Sequence, residues 1–350
     1  MKHSIAVERL YECRPIIKKI ARHPWENRVT FNPACALVTD RDEMAAIVLK
    51  LPFSAATKKA LRRQPALSFL LYRAQGERTG ALDHSRSSLG LAVLSPKLEL
   101  LARHKEPVLL PEKDYENLGV EDGRITKIGR RYVLVYTAYS SATPNNKIRI
   151  ALASSTDFVT WEKHGLLKGD FNNINNKNGI IFERKIGRKF VMLHRPMEGK
   201  DAMAIHWAES DGIHKAWESR GVLMKPIGNQ SFVDTWIGGG APPLKLPDGR
   251  YLILYHIGNR KVGGSKEYDL GIAIGDPAAK DFIVKRMEPL MRPETAAETT
   301  GDPTLGVNNV LFVCGAYFYK GDLYFPYAGA DSVVLGGKIP RSELEKFIAN

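Results

Sequence analysis

Apolar residues in this chain gather in short runs rich in Val, Ile, Leu, Tyr and Phe, each closed by Gly, Asp, Asn or Pro. Such runs predict strands rather than helices. One unit recurs five times: an aromatic-rich strand, a polar loop and a second short apolar strand. The first strands read L-S-F-L-L-Y-R-A (67–74), R-Y-V-L-V-Y-T-A (131–138), K-F-V-M-L-H-R-P (189–196), R-Y-L-I-L-Y-H-I (250–257) and D-L-Y-F-P-Y-A-G (322–329). Their partners read S-L-G-L-A (88–92), I-R-I-A-L-A-S (148–154), A-M-A-I-H-W-A (202–208), D-L-G-I-A-I (269–274) and S-V-V-L-G-G (332–337). Aligned on Tyr72, Tyr136, His194, Tyr255 and Tyr327, the units stand roughly 60–70 residues apart, room for one four-stranded blade each. Five blades closed into a ring limit exposed sheet edges. The expected fold is therefore all-β, a five-bladed β-propeller with short terminal helical segments, and a β-sandwich is the competing arrangement.

Three stretches interrupt this pattern. Residues 3–22 show a helical periodicity through Ile5, Leu10, Ile16 and Ile17, broken by Pro15. Residues 54–64 predict a helix capped by Ser54, and 341–349 a helix beginning at Ser342. The expected organisation is a single catalytic domain over 1–350, with an N-terminal extension at 1–22 and a C-terminal helix at 338–350.

Composition adds limits. The 350 residues are 44% apolar and 25% charged, as in a folded globular protein. No apolar run approaches the roughly 18–20 residues of a membrane span, and the first residues lack a signal-peptide core, so a cytoplasmic location is the default. Cys13, Cys35 and Cys314 are odd in number and far apart, which favours reduced thiols over a disulfide framework or zinc site. No histidine pair has metal-ligand spacing, and neither a metal nor an organic cofactor is expected. The formal charge of +13 is spread along the chain without a basic tail or an aromatic RNA motif. That distribution favours a solvated basic surface or a pocket for a small anion over nucleic acid.

A propeller draws single polar residues from distant segments to one axis. Candidates therefore lie at strand ends or in the loops before them. Asp122 and Arg124 fall in the Gly-flanked stretch G-V-E-D-G-R (119–124); Arg73, His194, Arg195 and His256 end first strands; Arg149 lies in a partner strand; Lys177 lies in the loop 172–179; Asp331 follows Y-A-G-A.

The order of these segments resembles glycoside hydrolase family 130, the β-mannoside phosphorylases and related β-mannosidases. H-P-W-E-N-R-V-T-F-N-P-A (23–34) is similar to its W-E-x-x-x-x-F-N-P segment, and G-V-E-D-G-R-I-T-K-I-G (119–129) to its G-x-E-D-P-R-I-T-K-I. Residues 150–165, M-L-H-R-P (192–196), G-G-G-A-P-P-L-K (238–245), L-Y-H (254–256), N-N-V-L-F-V-C-G-A (308–316) and Y-A-G-A-D (327–331) continue the match, from about residue 14 to about 337. The resemblance implies a five-bladed propeller with Asp122 as general acid, passing a proton through a sugar hydroxyl to the glycosidic oxygen. It implies that Asn32 and Asp331, with Arg73, hold the mannose, and that Arg149, Lys177 and His256 bind phosphate, with His194 and Arg195 nearby.

These residue types suit the chemistry. An inverting displacement needs an acid on the leaving-group side and a nucleophile on the opposite face. Phosphate is already a nucleophile, so phosphorolysis needs cations to gather it, whereas hydrolysis needs a second carboxylate. The expected reaction is phosphorolysis of β-mannosides or manno-oligosaccharides to α-mannose 1-phosphate, with inorganic phosphate as co-substrate. Hydrolysis on the same scaffold is the alternative, and a non-enzymatic carbohydrate-binding propeller a remote one. The five-bladed furanosidases and arabinanases carry an N-D-P acid near the N-terminus, which N-P at 32–33 lacks. Expected partners are small carbohydrates and phosphate, with a homo-oligomer left open, and neither nucleic acid nor membrane. Burial or Glu121 is expected to raise the pKa of Asp122. Four departures from the family pattern stand out: Gly123 in place of proline, Tyr268-Asp269 in place of Tyr-Arg, V-N-N-V at 307–310, and a longer segment at 38–66 that suggests a reshaped acceptor subsite or an oligomer contact. Asp269 is expected to be a solvated strand residue rather than a base for water.

Overall fold

The computed structural model describes residues 5–349 except 80, 81, 84, 142–146, 229 and 230, with backbone alone at 78–79 and 82–83. Five antiparallel sheets follow one another along the chain. The first pairs Val29–Val38, Leu67–Gln75, Ser88–Leu94 and Leu100–Leu109 in that order. The second pairs Gly119–Ile128, Arg131–Tyr139, Ile148–Ser155 and Glu162–Leu166, and the third Asn176–Ile181, Phe190–Pro196, Ile205–Ser210 and Glu218–Met224. The fourth pairs Asp234–Gly239, Tyr251–Arg260, Lys266–Gly275 and Ile283–Met291. In the fifth, Leu311–Val313, Asp322–Gly329 and Val333–Ile339 are completed by Glu8–Arg9 from the other end of the chain. This is the expected five-bladed propeller.

The runs read as first strands are in fact the second strand of each blade. The strand before each, closest to the axis, hides from a search for apolar runs: it carries polar residues and Gly in the second to fourth blades, an Asn-Pro break in the first, and is only three residues long in the fifth. Within the expected helix over 3–22, the described residues, from 5 onwards, form no α-helix, only a short 3-10 turn at Leu10–Cys13. Glu8–Arg9 pairs with Lys338 and Gly337, and Tyr11, Glu12 and Cys13 adopt left-handed backbone, so tertiary pairing overrides a weak periodicity. Ala55–Arg62 is helical, with Ser54 Oγ accepting the Thr57 amide at 3.2 Å. The last helix runs Arg341–Ala349, not from 338, because residues 338–339 finish the strand; Ser342 lies inside its first turn. Cys13, Cys35 and Cys314 are free thiols.

The segment 38–66 forms a helical hairpin, Arg41–Lys50 and Ala55–Arg62. It leaves the axial strand at Val38, at the opposite end from Asn32. Met44, Ile47, Val48 and Leu61 join the core between the first two blades, and Glu43 accepts the Tyr132 hydroxyl at 2.7 Å. The insertion therefore buttresses the blades away from the candidate site and does not cover it.

The aligned tyrosines explain why the repeat is legible. Each sends its hydroxyl to a glutamate: Tyr72 to Glu26 at 2.8 Å, Tyr136 to Glu116 at 2.7 Å, Tyr255 to Glu288 at 2.7 Å and Tyr327 to Glu298 at 2.7 Å. A cation from the outermost strand meets each glutamate, namely Arg103, Lys163, Arg286 and Arg9. A hydrogen-bonded ion pair thus ties the interior of four blades to their rims, satisfying buried charge that would otherwise be costly. The third blade substitutes His194, whose Nδ1 meets Asn176 and whose ring packs on Phe171 and His206.

Candidate active site

Three axial strands share one irregularity. Each pairing slips by a residue, between Phe31 and Ala34, between Glu121 and Arg124, and between Lys177 and Ile180. At each bulge an Asx residue takes left-handed backbone: Asn32 at φ 45°, Asp122 at φ 49° and Asn178 at φ 57°. Asn and Asp tolerate this region better than other side chains, and bulges re-aim what they carry. Asp122 and Lys177 were expected in loops; both lie in axial strands instead, because a bulge lets Gly and Asx residues remain within the ladder. The unusual backbone angle falls on Asp122 rather than on Gly123. A Cβ at Gly123 would stand 2.7 Å from Leu134 Cδ1, so glycine there makes room for a core leucine.

Asp122 is 3% exposed. Its Oδ1 accepts from Asn32 Nδ2 at 2.7 Å and from Arg73 Nη1 at 3.1 Å. Arg73 also donates to Glu121 Oε1 at 2.6 Å and to Ser87 Oγ at 2.8 Å, and its guanidinium lies over the Phe31 ring. Burial alone pushes the Asp122 carboxyl up, but Arg73, Lys177 and Arg124 outweigh it and hold the group below the ordinary carboxylate range. The expected upward shift is thus reversed: three cations surround the acid, and Glu121 is engaged by Arg73. Asp331, also left-handed at φ 48°, behaves oppositely. Burial raises it to about 6, with Asp122 and Glu121 adding to the rise and Arg73 and Lys177 opposing it. Two carboxyls near the same arginine are therefore driven apart in proton affinity, as in sites that separate acid from base.

Lys177 and Arg195 face each other across the first two strands of the third blade. Burial and the neighbouring Arg195 lower Lys177 to about 8, and burial lowers Arg195 to about 10. Arg195 Nη1 stands 3.3 Å from His256 Nε2, and its Nε is buried without a partner. Among the described residues neither cation forms an ion pair with a carboxylate. Tyr268, in contact with the His256 ring and receiving the Trp236 indole N–H at 3.2 Å, completes this wall.

The remaining candidates fall elsewhere. His194 occupies the tyrosine position inside its blade and is pushed down to about 3 by burial and His206, apart from the cationic cluster. Arg149 is half-buried on the third strand out from the axis, opposite Ala138, and bonds to none of the others. Asp269 is not solvated. It is 3% exposed, its Oδ1 lacks a partner, and burial with Glu267 raises it to about 7. Its charged neighbours are Glu267, Arg292, Lys261 and Glu288, so it lies outside the cluster around Asp122. Arg124, a candidate beside Asp122, takes its place in the site through the carbonyls it grips, and Asn178 and Tyr268 join it although sequence reasoning did not place them there. The Asx-Gly or Asx-Pro pair at 32–33, 122–123 and 178–179 was the signal available for Asn178.

The model of glycoside hydrolase family 130, described as β-1,4-mannooligosaccharide phosphorylase, matches residues 16–350. The chain belongs to this family. It is 30% identical over 94% of its length to a 1,2-β-oligomannan phosphorylase of Thermoanaerobacter sp. (strain X514), covering 96% of that protein. It is 29% identical over 95% of its length to a β-1,2-mannobiose phosphorylase of the same organism, covering 97% of it. The fold matches that of a β-1,2-mannobiose phosphorylase from Listeria innocua in complex with β-1,2-mannobiose, with a TM-score of 0.74 at 21% identity over 99% of this chain and 100% of the other. The family 130 match thus spans all five blades apart from the Glu8–Arg9 strand. None of its helices is long and apolar enough to cross a membrane among the described residues.

Proposed function

We propose that this family 130 protein catalyses the inverting phosphorolysis of β-mannosides, yielding α-mannose 1-phosphate and a shortened acceptor. The observation that carries the reading is a cationic wall of buried Arg195 and half-buried Lys177, with no carboxylate paired to either among the described residues and with the Arg195 Nε donor unused. Uncompensated buried charge is costly unless an anion arrives to pair with it. A hydrolase would instead set a carboxylate there to activate water. The names of the relatives, which are β-1,2-mannoside phosphorylases, support the same reading and favour that linkage.

In the reaction a phosphate oxygen forms the bond to C1 as the bond from C1 to the leaving oxygen breaks, and the proton passes from Asp122 through a sugar hydroxyl to that oxygen. Asn32, Arg73 and Asp331 border the mannose. Lys177, one of the cations that keep Asp122 ionised in the free site, is also one that a phosphate dianion would neutralise. Phosphate binding therefore raises the proton affinity of Asp122 when a proton is needed.

The deciding experiment incubates the protein with β-1,2- and β-1,4-mannobiose, with and without phosphate. Mannose 1-phosphate formed only with phosphate is the expected result. Free mannose released at equal rates in its absence refutes phosphorolysis. Asp122→Asn abolishes turnover while thermal unfolding stays cooperative, and a fully active variant removes Asp122 from the reaction.

A further inference from the structure

Arg124 is buried, 1% exposed, and every contact it makes has a direction fixed by chemistry. A guanidinium has five donors and no acceptor. Arg124 therefore donates to the carbonyls of Asp122 at 2.6 Å, Gly240 at 3.3 Å and Gly239 at 3.2 Å, and to Asn178 Oδ1 at 3.2 Å. With its oxygen engaged, the Asn178 amide turns its NH2 towards His256 Nε2 at 3.2 Å. Arg195 Nη1, also a donor only, lies 3.3 Å from the same nitrogen. Two donors converge on Nε2, so that nitrogen holds the lone pair and the ring hydrogen sits on Nδ1. The left-handed bulge at Asn178 aims the amide, and Gly238 leaves room for it. A Cβ there would fall 2.3 Å from Asn178 Nδ2 and 2.5 Å from His256 Nε2.

We infer that Arg124 and Asn178 are positioning residues that fix His256 as the neutral, Nδ1-protonated tautomer, whose Nε2 lone pair orients the Arg195 guanidinium. His256 is then not a cation in the phosphate pocket, and being 0% exposed it does not line the pocket directly. It acts through Arg195. The charged groups around the ring are Arg195 and Lys177 from the third blade and Arg124 from the second, and its aromatic neighbours are Tyr268 and Phe312. Burial first, and then those three cations, push its pKa well below that of a free imidazole. Arg124 meanwhile grips the backbone of Asp122, so one side chain sets both the acid and, through Asn178 and His256, the anion pocket.

The tautomer follows from the two donors that meet Nε2, with Nδ1 buried and without a hydrogen-bond partner among the described residues; its effect on phosphate rests on the reading of the site as a phosphorylase. Two readouts keep them apart. In ¹⁵N-histidine NMR of the intact protein, with the His256 signals identified by their loss in His256→Gln, the hydrogen is expected on Nδ1 without titration from pH 5 to 8. A hydrogen on Nε2, or an imidazolium forming within that range, overturns the inference. Asn178→Asp replaces the NH2 donor with a second acceptor, so Nε2 must gain a proton. The expected results are an imidazolium signal near neutral pH and a phosphate KM raised at least about tenfold, the scale of one charge-assisted hydrogen bond, with the mannoside KM little changed. An unchanged phosphate KM despite an altered tautomer overturns the positioning role. Turnover independent of phosphate sinks the phosphorylase reading instead, and the NMR result still decides the tautomer.

Discussion

Asp331 offers a measurement in which pH itself is the perturbation. Its carboxyl, raised to about 6 from an ordinary 3.8, is more easily ionised in the unfolded chain than in the folded one. The sign follows: this group favours the fold at low pH, and that contribution is lost as pH rises through about 6. The gap of about 2.2 units corresponds to about 3 kcal/mol when complete, of which about 2 kcal/mol falls between pH 4.5 and 8. Asparagine cannot ionise and preserves the shape, so Asp331→Asn removes the penalty while leaving the other titrations in place. With about 2.1 cal/mol/K of unfolding entropy per residue, a 350-residue chain gains about 1.4 °C per kcal/mol. The difference in Tm, variant minus parent, should therefore grow by about 3 °C between pH 4.5 and 8. Differential scanning calorimetry at both pH values checks this. A difference independent of pH would falsify the assignment of a raised carboxyl to Asp331.

Two further predictions concern the scaffold. Arg9→Ala leaves Glu298 buried without its cation and should lower stability by roughly 2 kcal/mol, read as a fall in Tm with activity retained at low temperature. Gly271→Ala sets a Cβ 2.3 Å from Tyr255 Cζ, so the ring must leave Glu288. Denaturant unfolding should show a loss of about 1–3 kcal/mol or more, and an unchanged midpoint would mean that the blade tolerates the tilt.

The propeller was legible because its second and third strands are apolar on both faces, packed between neighbouring blades, and because a tyrosine recurs where each blade needs a partner for its buried glutamate. The axial strands were not legible. They combine polar side chains with bulges, and both features read locally as loop, which is why Asp122 and Lys177 were expected outside strands. Asn32 and Asp122 were found because a family motif carries each, and Arg73 because it ends a strand of the repeat. Arg124 was a candidate by its place beside Asp122, but its role and the part of Asn178 were hidden, because both act through backbone carbonyls and an imidazole, contacts that leave no spacing pattern. The ionisation of Asp122 was misjudged for a related reason. Sequence places Glu121 beside it, whereas only the closed ring brings Arg73 and Lys177 from other blades. His194 looked like a fourth site residue because it ends its strand in the same register as the tyrosines, and that register is what turns it into the blade.

The pairing of Glu8 and Arg9 with Lys338 and Gly337 has a consequence in time. At a ribosomal rate of about 5–20 residues per second, the first strand waits on the order of half a minute for its partner to be made. Throughout that interval the ring stands open, because the blade that Arg9 completes, with Glu298 and Tyr327, is the last to be made. Contacts so distant along the chain also slow the final closure once synthesis ends. A nascent chain is therefore an open array of blades until its last strands emerge, and proteases or chaperones that act on it meet a first strand whose partner is still missing.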